Sequence, residues 1–472
     1  MDALEYTPAW MLAEMVRQRR VSPVELTEHL LRRIERLNPR LNAYLTVAHQ
    51  KALAAAQAAE AALRRGAGLG PLHGVPISIK DLLQTRDMPT TGGSLVFRDS
   101  TPGEDAVVVE RLRQAGAIIL GKTNTPEFGL SATTENRLGD HCRNPWDTAR
   151  TSGGSSGGAA AAVAAGLCPI AIGSDGGGSI RVPSAFCGVF GIKPTYGLVP
   201  QHGGFGGMAL FAGVGPITRT VQDAALCLNI IAGHHPADPA SLRQRPADFL
   251  AGLDAGVKGL RVAWSPDLGL ATVDPEVREI ARSAAYAFEG LGCSVEEAAP
   301  DAGEPFAIHN LITMTDEYAA VGHLLEKHAD QLVTHVRVVL ERGSQVPAYE
   351  YSRALRSLER FRMRMADFFD RYDLLLTPAT AVPAFPVGQR PRTIAGKEVD
   401  RMWGPFPFAP AFNLTGQPAA SVPCGFTSQG LPVGLQVVAR WGEDATLLRA
   451  CAALEKARPW AHRVPPLDAP AA

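Results

Sequence analysis

Apolar residues Leu26, Leu30, Ile34 and Leu37 fall three or four positions apart, which is the spacing of one helical face. Ser22 stands ahead of them as a cap, Pro23 takes the first helical position and Glu25 lies three residues after the cap, so a helix is predicted to start here and to end at Pro39. An alanine-rich helix is expected over about Gln50 to Arg65. Short apolar runs then alternate with helical ones. "GVPISIKD" predicts a strand ending at Lys80, "DAVVVERLRQAGAIILGKTN" a helix and a strand, and "AAAAVAAGLCPIAIG" from Ala159, interrupted by Gly166 and Pro169, a buried helix followed by a buried strand. The same unit recurs in "GLRVAWS", "DPEVREIARSAAYAFEGLG" and "CSVEEA". From about Glu317 to Tyr372 the chain reads as mostly long, charged, amphipathic helix, and "DLLLTPA" returns to strand. Alternation of strand and helix predicts an α/β fold, a large mixed central sheet covered by helices on both faces. One domain over residues 1–465 is expected, with a core at about 70–235, a helical insertion at about 300–372 and a loose Pro/Ala-rich tail at 466–472.

Charge and cysteine content narrow the function classes. Lys+Arg number 46 and Asp+Glu 47, with no basic block, so direct binding of nucleic acid is not expected. The seven cysteines are odd in number, widely spaced and never in C-x-x-C, which argues against a disulfide framework or a zinc site and for a reducing cytoplasm. No apolar run approaches the ~20 residues that span a bilayer, and "MDALEYTPAW" lacks the positive charge of a secretion signal, so no membrane association is expected.

The chemistry concentrates in two glycine-rich segments. "GSDGGGSIR", Gly173 to Arg181, follows a strand but lacks the Lys-Ser/Thr pair of a phosphate-binding loop, and Pro183 is expected to interrupt any helix after it. Glycine lets successive backbone N–H groups converge on one point, so this run can form an oxyanion trap beside a Ser179 nucleophile; a glycine turn with a capping serine is the plainer alternative. "TSGGSSGGAAAAVAAG", from Thr151, surrounds Ser155 and Ser156 with glycine and runs straight into core-grade helix, unlike a flexible linker. A serine nucleophile needs a base. His73 and His202 lie nearest the glycine segments but in no base motif, whereas Lys80 ends an apolar strand where burial can lower its pKa; pairing with Asp81 is the ordinary alternative.

Together these segments closely resemble the amidase signature family. The resemblance covers most of the chain, through "HGVPISIKD", "GKTNTPEFG", "NPWDTARTSGGSSGGAAAAVAAG", "GSDGGGSIRVPSAFCGVFGIKPT", "GPITRTVQDAA", "FNLTGQPAASVPCGF" and "GLPVGLQVVAR". It implies a Ser–cis-Ser–Lys triad with Lys80 as base, Ser155 as the bridging serine with a cis peptide bond and Ser179 as nucleophile, and an oxyanion hole made by the backbone N–H groups of Gly176, Gly177, Gly178 and Ser179. It also implies amide hydrolysis through an acyl-enzyme, with no metal and no cofactor. Arg181 and Asp175 are expected to pair and hold the loop, with Ser174 and Ser156 in support.

Such a family fixes the chemistry and leaves the substrate to variable segments. Those segments are apolar here, and Phe128, Phe205, Met208, Phe211, Trp403 and Phe406 are expected to line a pocket for apolar acyl or aryl amides, with esters and carbamates as further substrates. The main alternative is the glutaminase component of a tRNA-dependent glutamine amidotransferase, whose relatives carry an acid shortly before N-L-x-G; the span Met402 to Pro410 has none. A catalytically dead binding protein on the same fold is a remote third reading. A homodimer is the default assembly.

Overall fold

Among the described residues eleven strands form one sheet, and two parallel neighbours in it set Lys80 beside the glycine-rich segment Gly173–Arg181. The computed structural model describes residues 4–66, 69–205, 210–243, 248–301 and 303–467. In chain order the strands are β1 (Tyr44–Val47), β2 (Pro76–Lys80), β3 (Ile118–Thr123), β4 (Ile170–Asp175), β5 (Phe190–Lys193) and β6 (Gly213–Thr218). They continue with β7 (Arg261–Trp264), β8 (Ser294–Glu297), β9 (Leu374–Pro378), β10 (Ala419–Phe426) and β11 (Pro432–Ala439). Their order across the sheet is β1-β3-β2-β4-β6-β5-β10-β11-β9-β7-β8. The sheet is mixed: β3, β2 and β4 run parallel, as do β9, β7 and β8, while the pairs from β4 through β11 to β9 are antiparallel.

Parallel strands are covered on both faces, which is why β2 and β3 are buried at every residue and read as continuous apolar runs. The helix Gly157–Ala164 is buried along its whole length and leads into β4. No helix among the described residues is long and apolar enough to cross a membrane.

Three sequence expectations need correction. The helix that begins at Pro23 runs through Pro39 to Leu41, because Leu41 is fully buried and the Asn42 N–H closes on the Asn38 carbonyl at 2.7 Å. A short helix, Arg181–Cys187, follows the glycine segment with Pro183 in its first turn, where backbone N–H groups lack intrahelical partners and a proline removes nothing. The stretch expected as mostly long helix from about Glu317 to Tyr372 is helical but divided, and its first helix starts earlier: Pro305–Val321, Leu324–His328, Thr334–Gly343 and Ala348–Arg371 are separate, with Gly322 ending the first and Pro347 preceding the last.

Candidate active site

Lys80 closes β2 and Asp175 closes β4, its parallel neighbour, so both emerge at the carboxyl ends of one strand pair. That edge is where open α/β sheets bind ligands. Lys80 is fully buried, with Nζ 2.7 Å from Ser155 Oγ, 3.0 Å from Ser174 Oγ and 3.3 Å from the Ser174 carbonyl oxygen. Asp81, the partner in the alternative reading of Lys80, lies instead 3.3 Å from Lys122. Burial pushes the Lys80 amine down to about 7, opposed only by the charge of Asp175. Near neutrality the amine is therefore partly uncharged, and its lone pair can accept the Ser155 hydroxyl proton while its N–H groups donate to Ser174.

The peptide bond Gly154–Ser155 is cis, and Ser155 is buried. Ser156 clasps the two glycine segments together. Its N–H donates to the Ser179 carbonyl at 3.0 Å, and its hydroxyl donates to the Ser174 carbonyl at 3.1 Å and accepts from the Ser174 N–H at 3.3 Å.

Behind Ser179 lies a wholly buried ion pair. Arg181 donates from Nε and Nη2 to Asp175 at 3.0 and 2.9 Å, from Nη2 to Asn413 Oδ1 at 2.5 Å, and from Nη1 to the Ala409 carbonyl and Gln436 Oε1 at 3.0 and 2.8 Å. Burial alone would raise the Asp175 carboxyl, but Arg181 and Asn413 hold it well below the usual carboxylate range. Asp175 also accepts the N–H groups of Gly178 and Ile180 at 2.7 and 3.1 Å. Gly178 is thereby corrected as an oxyanion donor, because its N–H is already taken. The N–H groups of Gly176, Gly177 and Ser179 meet no acceptor among the described residues. Gly178 has φ +116°, and a Cβ there would come within 2.6 Å of the Ala409 Cβ, so the turn requires glycine.

His309, which the sequence reading missed, completes this shell. It projects from the helix Pro305–Val321, is buried between Phe211 and Trp403 with ring centroids 5.1 Å away on each side, and donates from Nε2 to the Gly176 carbonyl at 2.8 Å. Burial pushes its pKa down to about 4, so the ring is neutral at pH 7 with its proton on Nε2.

Ser179 is half-buried at the junction of two chambers. The inner one, about 140 Å³, is lined by Phe128, Phe205, Leu82 and Val214 together with Ser155 and Ser174. The outer one, about 240 Å³, is lined by Gly177, His309, Trp403, Met314, Val339 and Arg390. It shares Leu130, His335 and Arg390 with a wider cleft of about 630 Å³. Ser179 Oγ makes no hydrogen bond among the described residues, leaving it open to both chambers.

Of the expected pocket residues, Phe128 and Phe205 line the inner chamber and Trp403 the outer. Phe211 and Phe406 are corrected to supporting positions. Phe211 is buried against His309, and Phe406 packs on Phe186 and Phe385, because both rings sit on the core side of their segments. Met208 lies outside the described residues.

The family description "Amidase" matches residues 25–448. The chain belongs to the amidase family. This amidase is 41% identical over 471 residues to an acylamidase of Rhodococcus erythropolis, covering 98% of each chain. It is 38% identical over 488 residues to the A component of the glutamyl-tRNA(Gln) amidotransferase of Moorella thermoacetica, covering 98% of this chain and 99% of that one. The crystal structure of a bacterial aryl acylamidase of the amidase signature family matches the amidase fold with a TM-score of 0.92 at 31% identity, over 97% of each chain.

Proposed function

We propose that this amide-hydrolysing enzyme cleaves apolar acyl or aryl amides through a Ser179 acyl-enzyme, with Ser155 and Lys80 as a proton relay. The observation that carries the reading is the 2.7 Å contact between Ser155 Oγ and a buried Lys80 Nζ that makes no ion pair among the described residues. Ser179 Oγ bonds to the substrate carbonyl carbon as its proton passes to Ser155, whose own proton passes to Lys80. The contact between Ser155 and Ser179 closes with substrate in place, since catalytic hydrogen bonds commonly tighten only in the Michaelis complex. The oxyanion lies against the N–H groups of Gly176, Gly177 and Ser179. Collapse breaks the C–N bond, and the amine leaves with a proton from Ser155, which Lys80 replenishes. Water then adds to the ester by the same relay, releasing the carboxylic acid and restoring Ser179.

Aromatic faces in the inner chamber support an aryl leaving group, and the acylamidase relatives support the same class. Esters and carbamates present the same carbonyl and fall within the proposal, carbamates turning over more slowly because nitrogen donates into the acyl-enzyme carbonyl. The glutaminase reading has the 38% identical amidotransferase component in its favour, but Trp403 lines the outer chamber within a span that lacks an acid. Release of 4-nitroaniline from 4-nitroacetanilide, abolished in Ser179→Ala and accompanied by no ammonia from L-glutamine, is the expected result. Turnover unchanged in Ser179→Ala would overturn the nucleophile assignment, and turnover of glutamine alone would favour the glutaminase.

A further inference from the structure

Resting on the aryl-amide part of that reading, and replacing its apolar acyl half by an anionic one, we infer that the outer chamber holds a carboxylate-binding subsite built on Arg390, so that the preferred substrates are anilides whose acyl half ends in a carboxylate. Arg390 lines both the outer chamber and the wider cleft beyond it. It is half-buried, donates from Nη2 to Ser131 Oγ at 3.1 Å and Thr133 Oγ1 at 2.9 Å, and rides 5.6 Å from the centre of the Phe406 ring. Those contacts fix the plane of the guanidinium while leaving Nε and Nη1 without a protein acceptor among the described residues. The nearest acids are engaged elsewhere. Glu135 pairs with His141 at 2.9 Å, and Asp400 accepts the N–H groups of Met402 and Trp403 at 2.9 and 2.7 Å.

The surroundings add positive charge. Arg342 lines the outer chamber, and Arg137 and Arg401 line the cleft, none of them in an ion pair among the described residues. Besides Glu135, the one acid in these walls among the described residues is Glu127, whose oxygens are taken by Ser94 Oγ at 2.5 Å and the Val333 N–H at 2.7 Å. A half-buried, oriented guanidinium with free fork donors is suited to a carboxylate, which accepts two parallel N–H bonds.

The position of the relay decides which half of the substrate carries the charge. Ser155, which protonates the departing amine, lines the inner chamber and not the outer one. The leaving group therefore sits inside, against Phe128 and Phe205, in a volume of about 140 Å³, close to that of an engineered apolar cavity of about 150 Å³ that accepts benzene. The acyl half extends past Ser179 toward Arg390.

The test compares the 4-nitroanilide of the succinic half-acid with that of 4-oxopentanoic acid, which places a methyl group where the first has a carboxylate oxygen. The expected result is a preference in kcat/KM of roughly ten- to hundredfold for the succinic compound, as one charge-assisted contact gives. Arg390→Met should abolish that ratio and Arg390→Lys restore it in part. A ratio near one in the wild type, or one unchanged in Arg390→Met, would overturn the subsite, and both substrates slowing together at constant ratio would reduce Arg390 to a loop tie. If neither anilide turns over, the hydrolytic reading fails separately. Calorimetric binding of the succinic compound to Ser179→Ala, with and without Arg390→Met, then decides the subsite: at least tenfold weaker binding without Arg390 sustains it, and equal binding refutes it.

Discussion

His309 Nε2 lies 2.8 Å from the carbonyl oxygen of Gly176, and this bond sets the direction of the next amide. In a trans peptide the C=O and the following N–H point opposite ways. With the Gly176 carbonyl held on His309, the Gly177 N–H must point the opposite way, so the bond fixes the orientation of that amide beside Ser179. A Cβ on Gly177 would meet His309 Nε2 at 3.0 Å, so ring and loop are fitted to one another. His309 is thus a positioning residue for the proposed oxyanion site. His309→Phe keeps the ring packing and removes the donor, and is expected to lower kcat about tenfold to a hundredfold with little change in KM. Losing a direct oxyanion donor costs about 10²- to 10³-fold, which bounds the effect. His309→Gln, which restores an N–H, should recover part of it.

Lys80 gives activity and stability related pH dependences. Its amine titrates at about 7 in the folded protein, so kcat/KM is expected to rise through that pH as the neutral base forms and to level off above it. The unfolded chain holds the proton until about 10.4. Between those values the unfolded state binds more protons, so stability from this group rises with pH across the window. Lys80→Met should be inactive yet stabilised, more at pH 6 than at pH 10, as read by urea denaturation at both pH values.

Asp175 and Arg181 form a fully buried pair. Asp175→Asn leaves the guanidinium without its counter-charge and is expected to destabilise the fold by about 3–5 kcal/mol. Asn413→Ala, which removes an amide contact to the same carboxylate, should cost about 1–3 kcal/mol. Equilibrium unfolding of the two variants would show whether that order holds.

Phe205 lies 5.3 Å from Phe97 and 6.3 Å from Phe128, centre to centre, making one wall of the inner chamber. Aromatic pairs contribute about 0.5–1.5 kcal/mol beyond their area. Phe205→Ala should therefore lower kcat/KM for 4-nitroacetanilide roughly two- to tenfold relative to N-methylacetamide, and an equal loss on both substrates would place the aromatic half of the substrate elsewhere.

The α/β alternation and the strand carrying Lys80 were legible in the sequence, because buried parallel strands are continuous apolar runs. The choice among lysines was not. Lys122 and Lys193 also lie in or at the end of apolar strands, are fully buried, and have pKa values lowered by burial to about 8 and about 7. Only their partners separate them: Lys122 has Asp81 and Thr90 Oγ1, Lys193 the Pro194 carbonyl, and Lys80 two serines. Strand periodicity gives burial but not tertiary neighbours, so its place at the end of an apolar strand made Lys80 a candidate and the motif resemblance selected it. His309 stayed hidden for a similar reason. It meets Gly176 across 133 residues, and the local sign was a polar pair, His309 and Asn310, set between the apolar stretches Pro305–Ile308 and Leu311–Ile312. Pro183 misled in the other direction, since a proline in a first turn looks like a helix breaker until the helix start is known.

Lys80 and Ser174 face each other across a strand boundary but are separated by 94 residues of chain. Docking those parallel strands requires the intervening crossover to be in place, a non-local step that forms slowly compared with local helix. A chain interrupted before that docking holds every reacting side chain and no competent arrangement of them. Hydrolytic activity in this molecule should therefore switch on with completed folding, and recovery of turnover after dilution from denaturant would serve as a clock for the sheet closing.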